Sequence, residues 1–238
     1  MGTTRNQYFN LGLVLAAGLT ISGQSAAADS KMRAEIAVHV YNYARVNQET
    51  LAEAEKVAAR IFQKAGVETQ WVEVDSSPGS KSATQDEQEY FSPSYIQLDI
   101  LTDEMFDRLG PADNVMGLAL GAGPNRKYVY VSYSRADALF LEELKAQGRG
   151  VSRPLASTGQ ILGHVFAHEM GHILLNTANH SASGIMRGVW DVNTWNDAFS
   201  GKMLFSTEQA QILRAEVLRR TAQQDAAALG GDEKHLIH

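Results

Sequence analysis

Cysteine is missing from all 238 residues. That excludes a disulfide scaffold, a thiolate metal site and a cysteine nucleophile. A dense block of lysine or arginine is missing too, and the formal net charge is −6, which argues against a nucleic-acid binder held by counterion release. No G-x-G-x-x-G and no G-K-[ST] occurs, so the glycines build no phosphate-cradling loop. There is no internal repeat and no linker that would split the chain. What remains is ordinary: 44% hydrophobic, 20% charged and 8% aromatic residues, against both disorder and a coiled coil. The length suits one domain, which at this size buries roughly 70% of its unfolded surface and needs no staples.

The N-terminus carries Arg5, then an apolar run from Leu11 to Ile21, then polar Ser22 to Ser25 and Ala26-Ala27-Ala28. The run is too short to span a bilayer, and Ala26 and Ala28 fit an A-x-A cleavage site. A signal peptide over residues 1–28, cleaved after Ala28, is expected; an uncleaved N-terminal membrane anchor or a buried helix is the other reading. An exported, disulfide-free chain points to a bacterial periplasmic or secreted protein with no membrane contact after cleavage, and a monomer is expected.

Ile36, Val38 and Val40 alternate within Ala34 to Tyr43, the period of a strand. Asn47 is placed to cap a helix whose apolar positions run from Leu51 to Ala65, and Gly66 to end it. Val67 to Val74 reads as a second strand, completing a βαβ unit with a parallel pair. Residues 76–94 are polar and read as a long surface loop. A strand at Tyr95 to Leu101, a short helix over Thr102 to Leu109, and a hairpin across Gly121–Asn125 into Lys127–Tyr133 follow. Ala136 to Gln147 reads as a helix. Ser157 and Gln160 form a capping box for a helix reaching about Leu175, and Ser206 caps a last helix over Thr207 to Thr221, before a loose tail from Gly230. The pattern is α/β or α+β.

His168-Glu169-Met170-Gly171-His172 is an H-E-x-x-H on the helix that Ser157 starts. Spacing of i and i+4 puts both imidazoles on one face, one turn apart, where both reach one ion. Glu169 stands beside them, where it can take a proton from an activated water. A third histidine, His180, follows, and then Gly184-Ile185-Met186. Glu208 and Glu216 are the rival third ligands.

These residues resemble the metzincin zinc metallopeptidases, whose signature is H-E-x-x-H-x-x-G-x-x-H with a later methionine turn. The resemblance covers about Ser157 to Trp190 and extends to small exported bacterial zincin-like proteins. It implies His168, His172 and His180 as zinc ligands, Glu169 as general base and Met186 as the turn methionine. One departure is plain: His180 comes eight residues after His172, where the family spacing is six, and Leu175 stands at the family's glycine position. Asn176 is the residue near the bend that tolerates a left-handed backbone, so the ligand device is stretched by one residue on each side of it.

The implied fold is a single zincin-like domain over 29–238. A mixed twisted sheet with helices, including the motif helix, forms 29–175; the third ligand, turn and C-terminal helix form 176–238. The implied function is an exported zinc metalloendopeptidase acting on a peptide or protein substrate. A non-catalytic exported zinc-binding or partner-binding protein on the same fold is the alternative, because the ligand spacing is stretched and no tyrosine follows Tyr133 to donate to an oxyanion. Tyr133 or another upstream group, Arg187, a backbone N–H or the metal alone would then serve. His164 faces the side of His168 and is expected to be an ordinary partly buried histidine; Asp191 is placed to orient a ligand imidazole, and Trp190 and Trp195 to fill core. No residue is assigned to substrate binding, though the strand over Lys127–Tyr133 is expected to offer substrate an exposed edge.

Overall fold

The computed structural model describes residues 33–75, 95–120, 127–146, 157–190 and 192–232. The expected signal peptide, the loop 76–94, the turn 121–125 and Asp191 lie outside the described residues.

Strand β1 (Glu35–Asn42) leads into helix α1 (Gln48–Lys64) and strand β2 (Glu68–Val74). Asn47 caps α1 by accepting from the Thr50 N–H at 2.9 Å. At the other end Gly66, with φ of 76°, allows Val67 N–H to return to the Phe62 carbonyl, which closes the helix. Strand β3 (Tyr95–Leu101), helix α2 (Asp103–Asp107), strands β4 (Gly117–Leu120) and β5 (Tyr128–Ser132), and helix α3 (Tyr133–Ala146) follow. The motif helix is α4 (Thr158–Leu174). A short helix that the sequence reading missed, α5 (Val192–Phe199), precedes α6 (Thr207–Asp232). Helix α6 runs well past Thr221, so residues 230–232, expected in a loose tail, are helical.

The sheet order is β2-β1-β3-β5-β4. β1 pairs in parallel with β2 and β3, and β3 with β5; β4 alone runs antiparallel, against β5. The architecture is thus a mixed α/β fold with a five-stranded mixed sheet, as expected. One expectation fails here. The strand within Lys127–Tyr133 is β5, which lies between β3 and β4, so both its edges are already paired and it offers none to a substrate. β4 holds the outer position instead.

Ile36, Val38, Val40, Ile96, Leu98, Ile100, Val129 and Val131 form one buried face of the sheet, in a core shared with α1 and α4. Burying a side chain of this size stabilises by about 1.5–3 kcal/mol, so this layer is a principal source of stability. β3 is buried along its whole length, and its opposite face carries Tyr95, Gln97 and Asp99. Helix α4 lies so close to α1 that a β-carbon at Gly163 would stand 2.5 Å from the Ala54 carbonyl oxygen. The capping residue Ser157 adds a tether, donating to Glu53 on α1 at 2.5 Å. Packing and cap together hold the motif helix in place; all of its residues from Ile161 to Leu174 are buried.

Candidate metal centre

The centre begins with how α4 ends. Asn176 adopts φ of 48°, the left-handed conformation expected of it. Thr177 N–H then bonds the His172 carbonyl and Asn176 N–H the Ile173 carbonyl, each at 3.3 Å, the paired bonds of a Schellman cap. The cap turns the chain so that the Thr177 carbonyl oxygen meets His172 Nδ1 at 2.9 Å. One motif thus fixes the backbone and the side chain of His172 together.

His168 is held in the same way from elsewhere: its Nδ1 lies 2.7 Å from the Ile185 carbonyl oxygen. A carbonyl can only accept, so each Nδ1 carries the proton and, in the neutral ring, each Nε2 presents a lone pair. The two Nε2 atoms are 3.1 Å apart. Burial pushes the His168 imidazole down to about 4, with the neighbouring His172 and His180 acting in the same direction. It is therefore neutral near pH 7.

His180 joins them. Its ring centroid lies 5.3 Å from that of His168 and 5.0 Å from that of His172, and one nitrogen from each of the three falls within 4.8 Å of the others. His168 and His172 are buried and His180 is exposed, so the group is open on one side. It can hold a metal ion, and among the described residues it is the one such group of three or more histidines and acids. The rival acids do not enter it: Glu216 is bonded to Arg219 and Arg220, and Glu208 is exposed in the first turn of α6. His164 stays out as well, buried and bonded to the Gln160 carbonyl at 2.7 Å and to the backbone of Ala198.

Glu169 is buried, and burial pushes its carboxyl up to about 8. It packs against Gly117 of β4, where a β-carbon would fall 2.5 Å from its Cγ and 2.8 Å from its Oε1. Met186 is buried in the turn after His180; its sulfur occupies the space that any side chain on Gly171 would need. That turn is built by Gly184, at φ of 73°, with Arg187 N–H bonded to the Gly184 carbonyl. It is strapped on one side by His168 and on the other by the bond from Ile185 N–H to the Leu204 carbonyl.

One candidate oxyanion donor is otherwise engaged: Arg187 donates to Thr194 Oγ1 at 3.0 Å. Tyr133 opens α3, half-buried against the core. Trp195 is buried and Trp190 is half-buried against the core, as expected; Trp190 also stands edge-on to His168, with centroids 5.5 Å apart, and donates to the Arg187 carbonyl at 2.7 Å. Sequence reasoning missed that ring contact, Gly117 and both carbonyl partners, because none of them belongs to a local pattern.

No protein-family model and no curated protein matches this sequence. Among solved structures it is similar to a zinc-dependent peptidase from Methanocorpusculum labreanum (strain Z), with a TM-score of 0.44 and 15% sequence identity over 74% of this chain and 99% of that one. At that likeness the functional reading rests on the site itself.

Proposed function

We propose that this chain is an exported zinc-dependent metalloendopeptidase with zinc on His168, His172 and His180 and Glu169 as its general base. The observation that carries the reading is the pair of Nε2 lone pairs 3.1 Å apart, each backed by a carbonyl on Nδ1. Two lone pairs at that distance repel unless a cation is shared between them. Tetrahedral zinc with Zn–N near 2.0–2.1 Å places its nitrogens about 3.3 Å apart, so the donors fit. Three imidazoles suit zinc and leave a fourth position open. A zinc ion there supplies a Lewis acid that polarises the scissile carbonyl and acidifies water.

The residues of the chain do the rest. Glu169, whose carboxyl burial raises and the charge of a bound zinc would draw back to its ionised form, accepts the proton of the attacking water as its oxygen bonds to the scissile carbon, then passes it to the departing amine nitrogen. The Thr177 and Ile185 carbonyls keep the ligand rings in one tautomer and orientation. Met186 and Gly171 seal the floor under the motif helix. Export rests on the leader pattern through Ala28.

Glu169→Gln tests the reading. Hydrolysis of a quenched-fluorescence peptide library should fall about 10²–10⁴-fold while zinc content stays at that of the parent. Unchanged hydrolysis would sink it. A parent that retains zinc and cleaves nothing would favour the non-catalytic zinc-binding alternative, which the engagement of Arg187 and the absence of a later tyrosine support.

A further inference from the structure

His180 is the weak member of the triad by position. It is exposed, lies outside α4 and has no helix to hold its backbone. What holds it is the next residue. Ser181 N–H donates to the Met186 carbonyl at 2.7 Å, which ties the third-ligand segment to the methionine turn. The Ser181 hydroxyl is the second tie: it accepts from Gln209 Nε2 at 2.7 Å.

Gln209 has another task. It is the third residue of α6, and its Oε1 accepts from the backbone N–H of the capping residue Ser206 at 2.9 Å, while its own N–H returns to Ser206 Oγ at 3.2 Å. This is a complete capping box. It also settles the orientation of the amide. A backbone N–H needs an acceptor, so Oε1 must face Ser206 and the NH₂ must face Ser181. The side chain is held at both ends and cannot rotate without losing one bond or the other.

The geometry points to Gln209 as a positioning residue for the third metal ligand, acting through Ser181 on His180. This rests on the reading of the triad as a zinc site. The cap of α6 fixes one end of the amide, the amide fixes Ser181, and Ser181 fixes the backbone from which the exposed imidazole reaches the two buried ones. Groups that orient ligands in this way commonly contribute 10–100-fold to metal affinity.

The two tasks of Gln209 can be separated. Ser181→Ala removes the acceptor of the amide NH₂ and leaves the capping box whole. It should therefore leave the unfolding midpoint of the metal-free protein unchanged and weaken zinc binding about 10–100-fold, measured by chelator competition. Gln209→Leu, which loses both bonds, should weaken zinc binding to the same degree and lower the midpoint as well. Gln209→Glu should retain zinc affinity, because the Ser181 hydroxyl can turn and donate to the carboxylate. Ser206→Ala, which removes the hydroxyl but keeps the N–H that holds Oε1, should lower the midpoint and leave zinc affinity as it is. In a His180→Ala background, Ser181→Ala should cost no further affinity, because its effect passes through that imidazole. Parental zinc affinity in both Ser181→Ala and Gln209→Leu, or an undiminished loss in the His180→Ala background, would overturn the assignment. A parent that binds no zinc would overturn the metal reading itself, and this proposal with it.

Discussion

Gly117 and Glu169 meet so closely that the glycine leaves no space for a β-carbon beside the carboxylate. The contact joins the outermost strand of the sheet to the proposed general base. Neither side can easily yield: β4 is held to β5 with Gly117 opposite Val131, and the preceding Met116 carbonyl accepts from Ser132 N–H at 2.9 Å. Helix α4 is equally fixed by its packing on α1.

Gly117→Ala should therefore move the carboxylate rather than the strand. We expect kcat to fall about 10²-fold, the loss associated with a misplaced general base, while zinc content is unaltered. Steady-state kinetics beside metal analysis reads both quantities. An alanine variant with parental kcat would show that Glu169 tolerates the displacement.

Asn176 tests the stretched ligand spacing. Its left-handed backbone makes the cap that aims Thr177 at His172. A β-branched residue there costs about 1–2 kcal/mol, whereas glycine adopts the conformation freely. Asn176→Val should lower stability in urea by about that amount and weaken zinc binding as His172 loses its carbonyl. Asn176→Gly should retain parental zinc affinity. Equal affinities for all three proteins would detach the bend from the site.

Asp99 tests the far face of β3. Its carboxyl is buried beside Gln97, whose Nε2 donates to it at 3.0 Å. Burial raises it from 3.8 to about 6, against the opposing effect of the Gln97 bond. With the folded-state value above the unfolded one, the native protein binds the extra proton in this interval. The contribution of Asp99 to stability is therefore greatest below pH 3.8 and is lost as pH rises towards about 6. The loss is about 1–3 kcal/mol above that window. Asp99→Asn should show little of this decline, so its advantage over the parent in urea unfolding should grow between pH 4 and pH 7. A constant difference across that range would contradict it.

The sequence alone determined a good deal, and for local reasons. Helix starts at Asn47 and Ser157, the stop at Gly66 and the left-handed bend at Asn176 are all decided within a few residues by side-chain caps and allowed dihedrals. The i, i+4 spacing put His168 and His172 on one face, and their Nε2 atoms do converge. Glu208 and Glu216 remained open as rivals to His180 because a ligand from another segment has no fixed spacing. Only the fold could place His180 beside the pair and bind Glu216 to Arg219 and Arg220. The strand over Lys127–Tyr133 shows the same limit. Its alternation is that of a strand wherever it sits, so pairing with β3 and β4 on its two edges could not be read from it. Nor could the carbonyls behind the ligands, the glycine against Glu169 or the tie from Gln209 to Ser181. Each is a contact between segments distant in sequence, and tertiary packing rather than local preference selects it.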